Sequence, residues 1–275
     1  ALNLSQIDNI LELNPVIARR HYAEKGAMRW FDKKFVLEQD VSKHLKSFTI
    51  NGSKCGEFLL VLQTHSQSLA SIATLQKELS VQAPQGVVIG ISNEAETLIQ
   101  KLEDLRSLDF IRKHRLELHT DQVAMREVDA RIHAIRLSLG DTIQNLFNQA
   151  QWMYQDKLQS GNLTQIASEI ANHIYSDSPI ILSELVNRNH LSANAIKAQK
   201  DLLRAMLSSS QLENFGFESM SAPAGLYRTT LKTLGMHNSI DNIWHITKPN
   251  GSSPKSASAV NLCQAAEDFI FKSQQ

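Results

Sequence analysis

The 275-residue chain is long enough for one large domain or two ordinary ones, each with its own hydrophobic core. Its 28 Lys and Arg residues balance its 28 Asp and Glu residues, which excludes a globally basic nucleic-acid-binding protein but leaves room for a local basic surface. The 2 cysteines, Cys55 and Cys263, are too few for a disulfide framework or a zinc-ligand pattern. No segment has the pattern of a signal peptide or a membrane-spanning helix. We therefore expect a cytoplasmic protein without a membrane partner.

The first segment, 1–55, predicts two helices and a strand and is locally basic. The chain begins with Ala1 and an immediate amphipathic pattern, from which we expect a fragment of a longer protein. Ser5 is a candidate cap of the first helix, and Asn14-Pro15 is a start signal for a second helix that should end at Gly26. The string "MRWFDKKFVLE" favours a strand.

The second segment, 56–160, begins with a β-α-β-α pattern. The continuous apolar strings "EFLLVLQ" and "GVVIGIS" are typical of strands that are covered on both faces. One helix is predicted over about 66–79, and another begins with Asn93 as its cap in "NEAETLIQKLEDLRSLDFIRKH". This order predicts two parallel strands that are joined by a crossover helix.

A long helix is predicted over about 120–158 of the same segment. Its apolar residues recur every three or four positions: Val128, Ile132, Ile135, Leu139, Ile143 and Leu146. Such a seam packs along another helix, and we expect a coiled-coil-like hairpin with the 94–113 helix.

The third segment, 161–275, is predominantly helical by its periodicity. Helices are predicted for "NLTQIASEIANHIYS", for "IILSELVNRN" after Ser178-Pro179, for "LSANAIKAQKDLLRAMLSS" with Ser192 as its cap, for "GLYRTTLKTLGM" and for "AVNLCQAAEDFIFKS". The string "NIWHITKP" predicts a short strand, while "SAPAG" and "NGSSPKSASA" predict loops. The fold class is thus α+β and predominantly helical.

Motifs for catalysis are missing from the sequence. The turn after "FLLVLQ" has neither the glycines nor the Lys-Ser/Thr pair of a phosphate-binding loop, and the chain contains no HExxH or GxSxG string. The 10 histidines are expected at the surface or at helix ends. We predict no catalytic residue, no metal ligand and no cofactor here. An enzyme would need a polar pocket at the strand ends, near Gln63–Ser66 and Ser92–Glu94.

The stretch 178–206 is similar to a helix-turn-helix. Ala195, Ala198, Leu202 and Met206 can face inward on its second helix, and "NIWHITKPNG" could form a strand of a winged-helix-like domain. The candidate nucleic-acid-binding residues are polar or cationic and can face outward: Arg188, His190, Asn194, Lys197, Lys200 and Arg204. Any packed helical pair can show the same pattern. The alternative is a scaffold module that binds proteins and no nucleic acid, which the seam of the long helix and the neutral charge favour.

Four strings carry a resemblance to a known family: "NPVIARRHYAEKGAMRWFDKKFV", "EVDARIHAIRLSLGDTIQNLF", "SPIILSELVNRNHLSANAIKAQKDLLRAML" and "GLYRTTLKTLGMH". They resemble, in order, the C-terminal regions of very large bacterial P-loop ATPases of phage-defence islands such as BREX, including PglY-like proteins. The resemblance implies an ATP-binding parent protein whose Walker motif lies upstream of Ala1. It also implies that this region is a non-catalytic accessory part that contacts DNA or other subunits of a defence complex.

Overall fold

The structure is a computed structural model that describes residues 13–63, 68–115, 120–188, 190–218 and 220–273. The chain forms an α+β protein with two compact units. Unit 1 contains Ala1–Ile17 and Trp30–Ala167, and unit 2 contains Ala18–Arg29 and Ser168–Gln275. The division into segments 1–55, 56–160 and 161–275 stays a prediction.

Unit 1 is built on a mixed sheet whose strands lie in sequence order. The strands are β1 (Val16–Ile17), β2 (Trp30–Leu37), β3 (Lys54–Leu62), β4 (Val87–Ser92), β5 (Trp152–Tyr154) and β6 (Lys157–Leu158). The three longest strands, β2, β3 and β4, pair in parallel, and the other neighbours pair antiparallel. The predicted parallel strands are confirmed.

Strand β3 is central because its residues are apolar on both faces and are buried on both. Leu59 and Val61 point to one face, where they pack with residues of α2 (Val41–Ser47) and α3 (Leu69–Gln82). Phe58 packs edge-on against Trp152 of β5, with ring centroids 5.0 Å apart. A Cβ atom on Gly90 of β4 would lie 2.8 Å from the Trp152 ring, so glycine is required there.

Helices α4 (Ala95–His114) and α5 (Gln122–Gln149) form an antiparallel pair. Lys101 Nζ donates to Ser138 Oγ at 2.9 Å, and Arg112 forms an ion pair with Asp129 at 2.9 Å. The predicted seam faces inward: four of its residues are buried, namely Ile132, Leu139, Ile143 and Leu146. A coiled coil in the strict sense stays a prediction.

Unit 2 combines helices with one hairpin. The helices are α1 (Arg19–Lys25), α6 (Leu163–Ile174), which begins in unit 1, α7 (Glu184–Asn187), α8 (Ala193–Ser208), α9 (Ala222–Tyr227), which continues as a π-helical turn (Arg228–Lys232), and α10 (Pro254–Ser273). Strands β7 (His237–Ile240) and β8 (Ile243–Ile246) pair antiparallel. No helix in the described ranges has the length and apolarity that crossing a bilayer requires.

Two predicted helix boundaries were wrong. The helix expected from Asn14-Pro15 begins only at Arg19, because Val16–Ile17 instead pairs with Phe31 and Trp30 of β2; it does end at Gly26, as expected. The long helix ends at Gln149 rather than near 158. The residues after it form the β5–β6 hairpin, since Trp152 is buried against the sheet.

Most of the other wrong predictions concern the residue at which a helix begins. Glu94, not Asn93, is the N-cap residue of α4, and the helix predicted after Ser178-Pro179 is only the single turn α7. The "SAPAG" and "NGSSPKSASA" loops contain the first turns of α9 and α10, where Pro is compatible with the first turn of a helix. The predicted helix at Ser5 lies outside the described residues.

Candidate nucleic-acid interface

Helix α8 begins where the sequence predicts. Ser192 Oγ accepts a hydrogen bond from the Ala195 amide at 3.2 Å, which satisfies one of the free donors of the first turn. Ala195, Ala198 and Leu202 are buried, and Met206 is partly buried. Leu202 belongs to a core cluster with Phe215, Leu226 and Tyr227. The inward face of the helix is therefore confirmed.

The six residues predicted as nucleic-acid contacts are all exposed: Arg188, His190, Asn194, Lys197, Lys200 and Arg204. At about 100° per residue, Lys197, Lys200 and Arg204 lie on the side of α8 opposite to its buried face, whereas Asn194 lies beside that face. Arg204 pairs with Asp201 at 3.2 Å, and Arg188 pairs with Glu184. Within the described ranges, Lys197 and Lys200 form no ion pair, so their charges are available to a ligand.

The one-turn helix α7 is attached to α8 by its backbone. Gln199 Nε2 of α8 donates to the Leu185 carbonyl oxygen of α7 at 2.8 Å. Before α7, the Ile181 carbonyl oxygen accepts from Asn187 Nδ2. A short helix, a turn and a longer cationic helix thus follow each other. This is the order of a helix-turn-helix, although its first helix is only four residues long.

The chain has no net formal charge, but its charged residues are unevenly distributed between the two units. Unit 2 contains 13 Lys and Arg residues against 10 Asp and Glu, a formal charge of +3 with neutral histidines. Unit 1 contains 15 against 18, a formal charge of −3. The unit that carries α8 is therefore basic, which the charge of the whole chain conceals.

The β7–β8 hairpin follows α9 but lacks the charge of a DNA-contacting wing. Asp241 and Asn242 form its tip with left-handed backbone angles, φ 52° and 64°. Ile240 and Ile243 flank the tip and are exposed, and no Lys or Arg lies between His237 and Thr247. A winged helix stays a prediction, and the cations of unit 2 lie outside this hairpin.

A buried histidine of unit 2 joins the hairpin to the chain after α8. His237 Nε2 lies 2.9 Å from the Ser210 carbonyl oxygen, and its Nδ1 lies 3.0 Å from Tyr227 Oη. Because a carbonyl oxygen only accepts, Nε2 donates to Ser210, and Nδ1 forms the second hydrogen bond with the Tyr227 hydroxyl. Burial raises the pKa of Tyr227, which keeps its hydroxyl protonated. The expectation of a surface or capping position is wrong for this histidine.

A second buried histidine fixes α1 to α6. His21 Nδ1 donates to Asn172 Oδ1 at 2.6 Å, and Asn172 Nδ2 donates to Glu24 at 2.9 Å. Burial lowers the pKa of His21, since the charged imidazole would lose its hydration. Among the described residues, its Nε2 has no hydrogen-bond partner. The sequence carries no signal for this network, because His21 and Asn172 are 151 residues apart.

Unit 1 contains a buried carboxylate that sequence reasoning also missed. Glu57 of β3 is 2% exposed, and its Oε1 lies 2.5 Å from His44 Nε2 of α2. Lys54 Nζ lies 2.8 Å from Asp32 and 3.8 Å from Glu57. These side chains compensate one another's charges and hydrogen-bonding groups near the amino-terminal end of the parallel strands. In the described part of the chain, no three His, Cys, Asp or Glu residues are arranged to hold a metal ion.

The strand ends that an enzyme would use are only partly described. Gln63 is buried at the end of β3 and its Nε2 lies 3.4 Å from Glu38, while residues 64–67 lie outside the described ranges. A cavity of about 410 Å³ lies elsewhere, between α4 and α5. A small-molecule enzyme at these strand ends stays only an alternative to the predicted non-catalytic role.

No known protein family, curated protein or solved structure matches the chain. The resemblance to defence-island ATPases therefore stays a prediction from the sequence.

Proposed function

We propose that unit 2 contacts the sugar-phosphate backbone of duplex DNA through the exposed face of α8, as an accessory part of an ATP-dependent bacterial defence protein. One observation carries the proposal: the cationic face of α8 lies opposite its buried face, and its two lysines have no carboxylate partner among the described residues. Lys and Arg on an exposed helix face are the groups that neutralise phosphates.

Three cationic side chains would make the proposed contact with DNA phosphates. Lys197, Lys200 and Arg204 recur at intervals of three and four residues, so they line about two turns of one helix face. Asn194 and His190 add hydrogen-bonding groups near the amino-terminal end of the helix, where backbone amides also favour an anion. The net charge of +3 on unit 2 supports an approach to DNA.

The proposal is tested by fluorescence anisotropy with a labelled DNA duplex at low salt. The variant Lys197→Ala/Lys200→Ala/Arg204→Ala should bind DNA with an affinity that is lower by about tenfold or more. With fewer phosphate contacts, binding releases fewer counterions from the DNA. The matched control is Lys43→Ala/Lys46→Ala, which removes two exposed lysines from α2 of unit 1. Equal affinities of the wild-type chain and the α8 variant, or equal losses in both variants, would contradict a specific role of α8.

A protein-interaction scaffold is the second candidate, and the end of α10 favours it. Beyond Ala259 the helix has no buried residue, and it exposes large apolar side chains: Val260, Leu262, Phe269, Ile270 and Phe271. Such a patch commonly marks an interaction surface. Sedimentation of the chain alone and with neighbouring gene products tests this candidate, and a strict monomer that binds none of them would count against it.

A further inference from the structure

The exposed side of α8 carries an apolar stripe beside its cations. Ile196, Leu203 and Leu207 follow each other at intervals of seven and four residues, so they form one row over about 17 Å of helix. Their exposed fractions are 42%, 60% and 90%. DNA phosphates offer no apolar surface to cover this row, so the proposed DNA contact leaves it unexplained.

The cations border this row along one flank. At about 100° per residue, Lys200 and Arg204 lie next to the row, and Lys197 lies one step further round the helix. The opposite flank turns toward the buried face of α8. An apolar row with lysines on one flank complements a helix whose apolar row is bordered by Asp or Glu.

We propose that α8 docks an amphipathic helix of a partner protein, with apolar side chains covering the Ile196, Leu203 and Leu207 row and carboxylates facing Lys197 and Lys200. The row sets the pattern of the partner: apolar residues at helical spacing over about three turns, with acidic residues on one flank. A bilayer surface fits less well. The row is one residue wide and contains no Trp or Phe, whereas helices that lie on membranes present a broad apolar face.

The test titrates the full chain against a labelled synthetic helix that has leucines on one face and glutamates on its flanks. The same helix with lysines in place of the glutamates is the charge-reversed probe. The acidic helix should bind and the basic helix should not. Leu203→Ser/Leu207→Ser should weaken binding about tenfold or more, because the two leucines lose their apolar cover. Both positions are exposed, so the folded core is not affected.

The matched control is Leu69→Ser, which removes a leucine that is 85% exposed in unit 1 and should leave binding unchanged. Phosphatidylserine vesicles and duplex DNA are titrated in the same series. The docking proposal is overturned if the acidic helix does not bind or if both helices bind equally. It is also overturned if the Leu203→Ser/Leu207→Ser variant keeps its affinity for the acidic helix. The same holds if this variant loses affinity for the vesicles instead of for the acidic helix. Binding of the acidic helix without binding of DNA would overturn only the DNA proposal.

Discussion

At the residue scale, a few positions determine whether unit 2 can fold as described. Gly26 ends α1 with φ 83°, and a Cβ atom there would lie 1.9 Å from the Ile181 carbonyl oxygen. The sequence predicts this glycine as a helix end, because Gly favours the left-handed conformation. It does not reveal the close approach of residue 181, which lies far along the chain and has no local signature.

Gly26→Ala should destabilise the chain by about 2 kcal/mol or more, because the alanine must adopt a strained backbone conformation and displace a carbonyl group. Gly140 is the matched control: it lies within α5 with open space around it, so Gly140→Ala should stabilise by about 0.5–1 kcal/mol. Thermal unfolding measures both. Equal effects of the two substitutions would show that the close approach at Gly26 is not real.

His21 gives the chain a pH dependence of known sign. Burial lowers its folded pKa below the unfolded value of about 6.5, so the unfolded chain takes up this proton first as the pH falls. The contribution of His21 to stability is therefore present above the unfolded pKa and is lost as the pH falls through the folded pKa. Between about pH 7.5 and 5.5, the melting temperature should fall less in His21→Gln than in the wild-type chain. His245→Gln, at an exposed position of β8, is the control, and an equal change in both variants would refute this assignment.

At the element scale, periodicity predicts faces better than boundaries. The seam of α5 and the inward face of α8 are confirmed, since both depend on spacing that tertiary contacts reinforce. The end of α5, the start of α1 and the first turn of α10 were wrong. These helix boundaries depend on contacts between residues that are remote in sequence, such as the packing of Trp152 against Phe58. For the candidate site, the sequence predicts which residues are exposed, but the buried His237 and His21 networks depend on contacts that it does not show.

The seam is tested by two leucines of one helix. Leu139 of α5 is fully buried, whereas Leu137 is 59% exposed. Leu139→Ala should destabilise by about 2–5 kcal/mol, because it removes a fully buried side chain and leaves a cavity, while Leu137→Ala should change stability by less than about 0.5 kcal/mol. Chemical unfolding measures both, and similar values would contradict the described face of α5.

At the scale of the whole molecule, the chain crosses between its two units near the start. Residues 18–29 belong to unit 2, although unit 1 lies on both sides of them in the sequence. Besides the His21 and Asn172 pair, the Arg20 amide donates to Ser168 Oγ at 3.2 Å. Unit 2 therefore depends on a segment that lies about 140 residues before the rest of it.

Deletion of residues 1–29 should consequently damage unit 2 more than unit 1. The amides of α6 should lose protection from hydrogen exchange, since α1 no longer covers this helix, whereas the amides of α3 should stay protected. His21→Ala in the full chain should produce a smaller change of the same kind. Unchanged protection of α6 after the deletion would show that α1 is dispensable for unit 2.

The proposed function is based on the charges of α8. Their contribution to DNA affinity falls as the salt concentration rises, with a slope that depends on the number of phosphate contacts. Each phosphate that the chain neutralises adds about 0.9 to the slope of log affinity against log salt concentration. The most direct measurement is this slope for the wild-type chain and for Lys197→Ala/Lys200→Ala/Arg204→Ala. The slope should be shallower by about 2 to 3 in the variant. Identical slopes for the two proteins would contradict the proposed contact of α8 with DNA.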